Sequence, residues 1–184
     1  MADNGKIVFV SSDTHDPLQK TGMPEPLYNN AEELAYPEKS NVLLSGTRRY
    51  TTSKLCNLYC TYELAELIKT QTKKNITVNA FNPGMMPGTG LARNYNAFAR
   101  FAWKYILPVL ILFKHNVNTV AKSGKSLARL IIDPKFDNVS GKYFDGTKQI
   151  DSSELSYNKE NREDLWKTSM RLVLLKKDEP NEVL

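Results

Sequence analysis

"KIVFVS", Lys6 to Ser11, decides the architecture. Ile7, Val8, Phe9 and Val10 are consecutive strand-forming apolar residues with nothing polar between them. A half-exposed strand alternates apolar and polar side chains. An uninterrupted run predicts a strand buried on both faces, as in a parallel sheet covered by helices. Outward from this run the same theme returns. "ITVNAFN", 76–82, is β-branched and predicts a second strand, and Gly141 to Phe144 predicts a short third. Helical spacing lies between and after them. Leu55, Leu58, Tyr59, Tyr62, Leu67 and Ile68 predict a helix over 49–72. Val117, Val120, Leu127, Leu130 and Ile131 predict one over 117–132. Leu165, Trp166, Met170, Leu172 and Val173 predict one over 158–175. Residues 12–47, rich in Pro, Gly, Asn, Asp and Ser, read as a long irregular stretch with one short helix at 30–36. Strands alternating with helices indicate an α/β fold with a parallel sheet, in one domain over residues 1–184.

Bulk composition narrows the function classes. The 184 residues are 41% hydrophobic and 24% charged, the balance of a soluble globular chain. A net charge of +5 suits a phosphorylated ligand or an acidic membrane surface. The basic residues form no stripe, so nucleic acid is not an expected partner. Cys56 and Cys60 lie four apart with no partners at zinc-ligand spacing, and read as reduced thiols in apolar packing. No basic leader followed by an apolar stretch opens the chain, so a cytoplasmic location is expected. "YILPVLILF", 105–113, is about half the length needed to span a bilayer, and Pro108 interrupts it. A buried helix, a lid over an apolar substrate and a peripheral membrane contact through 101–113 all remain open for it.

Several motifs fail. Ser123-Gly-Lys-Ser126 resembles the end of a phosphate-binding loop, but Thr119 stands where that loop needs glycine. Asp13-Thr14-His15-Asp16 reads as a solvated turn rather than a metal site, and no metal is expected. No G-x-S-x-G elbow marks a hydrolase. "YTTSK", 50–54, does carry chemistry. Tyr50 and Lys54 stand one helical turn apart and share a face. A free phenol, with a pKa near ~10, handles protons poorly at neutral pH. A cation at ~4 Å and an effective dielectric of about 20 contributes roughly 4 kcal/mol, enough to bring it toward general acid–base range. Ser11 and Ser12 end the first strand, and Pro83 and Gly84 follow the second, at the edge where open α/β sheets place ligands.

Taken together, Tyr50-x-x-x-Lys54, "IVFVSS", "VNAFNPGMMPGTGL" and the tail "SGKYF" with "REDLWKTSMRLV" resemble the C-terminal half of a short-chain dehydrogenase/reductase. The tail is similar to the retinol dehydrogenase and protochlorophyllide reductase-like branch, and the likeness runs from residue 5 to 175. The resemblance implies Tyr50 as general acid/base. It implies Lys54 as the residue that lowers the phenol's pKa and binds the nicotinamide ribose. Ser12, picked over Ser11 by the family pattern, would hydrogen-bond the substrate oxygen. Pro83, Gly84, Met86 and Thr89 would line the nicotinamide and diphosphate side. The implied cofactor is NADP or NAD, with NADP favoured by the branch. The implied reaction is hydride transfer to a small apolar carbonyl, or from the corresponding alcohol.

Two departures shape the expectation. Tyr50 follows Ser12 by 38 residues, longer than the family spacing, so Met23 to Pro37 are expected to form an excursion near the substrate mouth. The family's N-terminal dinucleotide-binding half, with its Gly-rich turn and relay asparagine, has no counterpart in these residues. The expected fold is therefore a partial Rossmann-type sheet, the C-terminal strands and helices of a doubly wound fold. Ile7–Val10 would then present an unpaired edge, expected to be met by a homo-oligomer or by an N-terminal half. The alternative function is a catalytically inactive fragment, an interaction module working through that edge or the Tyr50 helix.

Overall fold

The computed structural model describes residues 3–39, 44–87, 101 and 117–173. Strands β1 (Lys6–Val10), β2 (Thr77–Asn82), β3 (Lys142–Asp145) and β4 (Lys148–Ile150) form one sheet in that order. The β1–β2 and β2–β3 pairs are parallel, and β3–β4 is antiparallel. The α/β class is the expected one, with an antiparallel strand added. β4 has three residues, too few for a periodic signal, and follows a turn in which Gly146 takes φ +60°.

β2 occupies the interior of the sheet and all six of its residues are buried. β1 corrects the expectation of burial on both faces. Lys6 to Phe9 are half-buried and Val10 is 40% exposed. Among the described residues β1 pairs with β2 alone, so it is an edge strand.

Helices α1 (Ala31–Ala35), α2 (Gly46–Gln71), α3 (Val120–Ile132) and α4 (Lys159–Leu172) accompany the sheet. The Ser45 side chain caps α2 by accepting from the Arg48 N–H, and the Thr72 N–H closes the far end on the Ile68 carbonyl. Side chains alternate along β2, and each face receives its own helix. On one face Leu58 and Tyr62 of α2 pack on Ala80 and Tyr143, while Leu64 and Ile68 pack on Ile76 and Val78. Leu64, not the expected Leu67, completes the buried stripe. On the other face Leu130 of α3 packs with Phe81, Phe136 and Phe144. Each fully buried large side chain contributes about 1.5–3 kcal/mol.

Residues 12–39 are more ordered than an irregular loop. Three short 3-10 turns and α1 run through them. Ala31 packs with Leu55, Tyr59 and Leu165, and Tyr28, Cys56 and Cys60 line the same cluster. Asp164 of α4 accepts from both the Tyr28 hydroxyl and the Ala31 N–H, each at 2.7 Å. This part of the expected excursion is thus tied to α4. Burial raises the Cys56 and Cys60 thiols to about 12 and about 11, as the apolar-packing reading requires. Among the described residues no helix is long and apolar enough to cross a membrane. The 105–113 run lies outside them.

Candidate active site

The parallel register brings the end of β1 beside the end of β2: Val10 stands opposite Phe81, and the Ser11 N–H donates to the Phe81 carbonyl at 2.8 Å. Ser11 is buried, and its hydroxyl donates to the Lys54 carbonyl at 2.7 Å. It pins α2 to the end of the sheet. Thr51 and Thr52 turn inward and are buried. The Thr52 hydroxyl accepts from the Leu27 N–H at 3.0 Å and donates to the Leu27 carbonyl at 3.2 Å. With the threonines inside, Tyr50 and Lys54 lie half-buried at the rim.

The Tyr50 phenol lies close enough to the Ser12 hydroxyl for that group to favour its ionised form. The Ser12 hydroxyl donates to the Asp13 carboxylate at 3.0 Å and accepts from the Thr14 N–H at 3.3 Å. The Lys54 ammonium donates to the Val10 carbonyl at 3.2 Å and stands 5.4 Å from the centre of the Tyr50 ring. Asn57, one turn on, donates to the same carbonyl at 2.9 Å.

Ser12, Tyr50 and Lys54 lie at the same end of the sheet. Burial pushes the Tyr50 phenol above its ordinary value, the Ser12 hydroxyl pulls it back, and the Asp13 carboxylate raises it further. Burial lowers the Lys54 ammonium. The expected depression of the phenol by Lys54 is not realised, because the ammonium is held on a backbone carbonyl beside the ring.

His15 is the second correction. Its ring is 1% exposed, not solvated. Nδ1–H donates to the Ser12 carbonyl at 2.5 Å, and Nε2 accepts from the Ser153 N–H at 3.0 Å. Ser12 caps the 3-10 turn Asp13–His15. Asp13, His15 and Asn57 are the site neighbours that sequence reasoning missed. A serine cap followed by an acidic first turn was the available signal for an ordered turn. Among the described residues no group of three side chains could hold a metal.

Pro83 and Gly84 begin the turn after β2, on the same sheet edge. The Pro83 carbonyl accepts from the Ser123 hydroxyl at 2.6 Å and the Asn118 amide at 3.0 Å. Ser123 thus serves the helix–turn contact and not a phosphate loop. Gly84 takes φ +72°, a backbone region that disfavours side chains, and donates to Asn82 Oδ1 at 3.0 Å. Met85 bridges to Val117 in parallel. The Asn118 side-chain oxygen is buried with no partner among the described residues. Thr89 lies outside them.

No family model matches the chain. A short-chain dehydrogenase from Talaromyces variabilis is 27% identical over 89% of this chain and 52% of its own length. A polyprenol dehydrogenase from Danio rerio is 32% identical over 72% of this chain and 38% of its own length. Retinol dehydrogenase 13 from Homo sapiens is 31% identical over 69% of this chain and 38% of its own length. The chain spans about half or less of these relatives. A solved protein from Mycobacterium paratuberculosis shares the fold at a TM-score of 0.53 and 19% identity, over 92% of this chain and 50% of that one. With these relatives, and with helices on both faces of a largely parallel sheet, the chain belongs to the short-chain dehydrogenase/reductase family, as a C-terminal region of it.

Proposed function

We propose that this chain carries the proton-handling side of a nicotinamide-dependent oxidoreductase site. Tyr50 is the general acid/base, Ser12 holds the substrate oxygen, and Lys54 meets the nicotinamide ribose. One observation carries the reading: the Ser12 hydroxyl and the Tyr50 phenol come close together past the end of β1, with the Lys54 ammonium 5.4 Å from the centre of the Tyr50 ring.

The residues fit the nicotinamide end of such a cofactor. Lys54 has three donors, and one is engaged with Val10. The others suit ribose hydroxyls. Pro83, Gly84, Met86 and Thr89 would line the same crevice, and the unpartnered Asn118 oxygen beside Pro83 is an acceptor in need of a donor. Groups that would cradle the diphosphate are not among the described residues. When bound, the cofactor supplies or takes the hydride.

The protein's own part is the proton. Burial and Asp13 keep the phenol protonated, and Ser12 orients it. A protonated phenol beside a substrate carbonyl is a ready acid, so the site suits reduction, with the reverse transfer for alcohol oxidation. The substrate class is an apolar carbonyl or alcohol, in keeping with relatives named for polyprenol and retinol. NADP is preferred to NAD on the resemblance of the tail. The cytoplasm, with peripheral membrane contact through 101–113, is the proposed setting, and lipid co-sedimentation tests the contact.

A second reading, an inactive interaction module, is favoured by the edge position of β1 with Val10 40% exposed. A second copy or a separate N-terminal half would pair there. Calorimetric titration with NADPH and NADH separates the readings. Micromolar binding that is lost in Tyr50→Phe/Lys54→Ala supports the oxidoreductase. No binding at millimolar cofactor supports the interaction module.

A further inference from the structure

Ser12 lies beyond the end of β1, in a short turn, where no ladder of backbone bonds sets its direction. His15 closes that turn from inside. Its Nδ1–H holds the Ser12 carbonyl at 2.5 Å, and its Nε2 holds the Ser153 N–H at 3.0 Å. One nitrogen gives a proton and the other receives one, so the ring is neutral with its proton on Nδ1.

Past Ser153 the bonds continue through the interior. The Ser156 hydroxyl donates to the Ser153 carbonyl at 2.5 Å and lies 2.6 Å from the Ser152 hydroxyl. Ser152 in turn lies 2.5 Å from the Tyr62 hydroxyl on α2. Tyr62 stands three turns along the helix that carries Tyr50. The serine turn is therefore tied, through one imidazole, to the same helix that presents the phenol. The Tyr143 ring, from β3, meets His15 edge-on at 5.2 Å. Asp13 and Asp16, on the turn itself, are the charged groups acting on it.

We propose that His15 is a positioning residue, a neutral clamp between the Ser12 carbonyl and the Ser153 backbone that holds the Ser12 turn beside Tyr50. This rests on the acid–base reading of Tyr50, and it is tested without cofactor or substrate. The full chain is labelled at the tyrosine Cζ carbons, and Tyr50 is assigned with Tyr50→Phe and titrated by NMR. Ser12→Ala removes the hydroxyl that favours the ionised phenol and moves the Tyr50 midpoint to higher pH. His15→Phe keeps a ring against Tyr143 but removes both bonds. It is expected to move the midpoint the same way and to speed Ser153 amide exchange by about tenfold or more. His15→Asn retains a donor toward the Ser12 carbonyl and returns the midpoint toward wild type.

A His15→Phe chain that titrates with wild type while Ser12→Ala is displaced overturns the proposal. So does a Ser12→Ala chain with an unmoved midpoint, since the Ser12 turn then has no influence on the phenol for His15 to set. Should His15→Phe fail to fold, the wild-type imidazole decides: 15N spectra must show Nδ1 protonated and Nε2 bare, and the opposite tautomer overturns the clamp. A chain that binds no NADPH leaves these results standing, so failure of the clamp and failure of the oxidoreductase reading are told apart.

Discussion

Acidification should weaken this fold through His15, by an amount that one proton sets. Burial is the first cause lowering the folded imidazole below its ordinary 6.5, against the Ser12 carbonyl bond and the attraction of Asp16 and Asp13. Both ring nitrogens are already committed, so protonation must break the Ser153 contact. The unfolded chain takes its proton near pH 6.5; the folded chain resists. The unfolded state therefore binds more protons below that value, and stability falls as pH falls. The contribution is fully present above 6.5 and is lost through the window from 6.5 down past the folded value. Between pH 7.5 and 5.5 the loss reaches at most about 1.4 kcal/mol, the limit for one wholly excluded proton. Urea unfolding at pH 7.5, 6.5 and 5.5 measures it, in wild type and His15→Gln. The difference between the two curves is the useful quantity, because other groups titrate as well. Burial raises Glu63, for example, and that works in the opposite sense as pH falls. Wild type should lose stability more steeply than His15→Gln below pH 6.5. Parallel curves would refute the reasoning, since the folded ring would then accept a proton as readily as the free one.

Other outcomes follow from the same contacts. Tyr50→Phe should lower turnover by about 10²–10⁴ while leaving the unfolding midpoint nearly unchanged, because the phenol sits at the half-exposed rim; retention of most of the rate would remove Tyr50 as the acid. Leu58→Ala, at a side chain with 0% exposure between α2 and the sheet, should cost about 2–5 kcal/mol by urea unfolding, and a change below about 1 kcal/mol would contradict that packing. Cys56 and Cys60, raised to about 12 and about 11, should resist iodoacetamide at pH 8 in the folded chain and react at once in urea. Fast labelling of the native protein would place the thiols outside the α1–α4 cluster.

Local sequence determined a good deal. The unbroken Ile7–Val10 run, the β-branched 76–82 segment and the three helical patterns define an α/β chain, and the structure has each element within a few residues of its predicted bounds. The spacing of Tyr50 and Lys54 was legible for the same reason: both sit on one helix, where sequence distance converts directly to a shared face. Tertiary structure decided what depends on partners far along the chain. Ser11 became the anchor and Ser12 the neighbour of the phenol because α2, 43 residues on, offers the Lys54 carbonyl to the first. β1 is half-buried rather than covered on both faces because, among the described residues, it pairs with β2 alone, the edge position expected once no strand could be read on its far side. The phenol rose rather than fell because folding buries it and brings Asp13 beside it, while the Lys54 ammonium, 5.4 Å from the ring centre, donates to the Val10 carbonyl. His15 turned from a solvent-facing loop residue into a buried clamp because Ser153 reaches it from 138 residues away. Periodicity reports which side of an element avoids water, but a hydrogen bond between distant segments exists only once the chain has closed and left each polar group to find its partner.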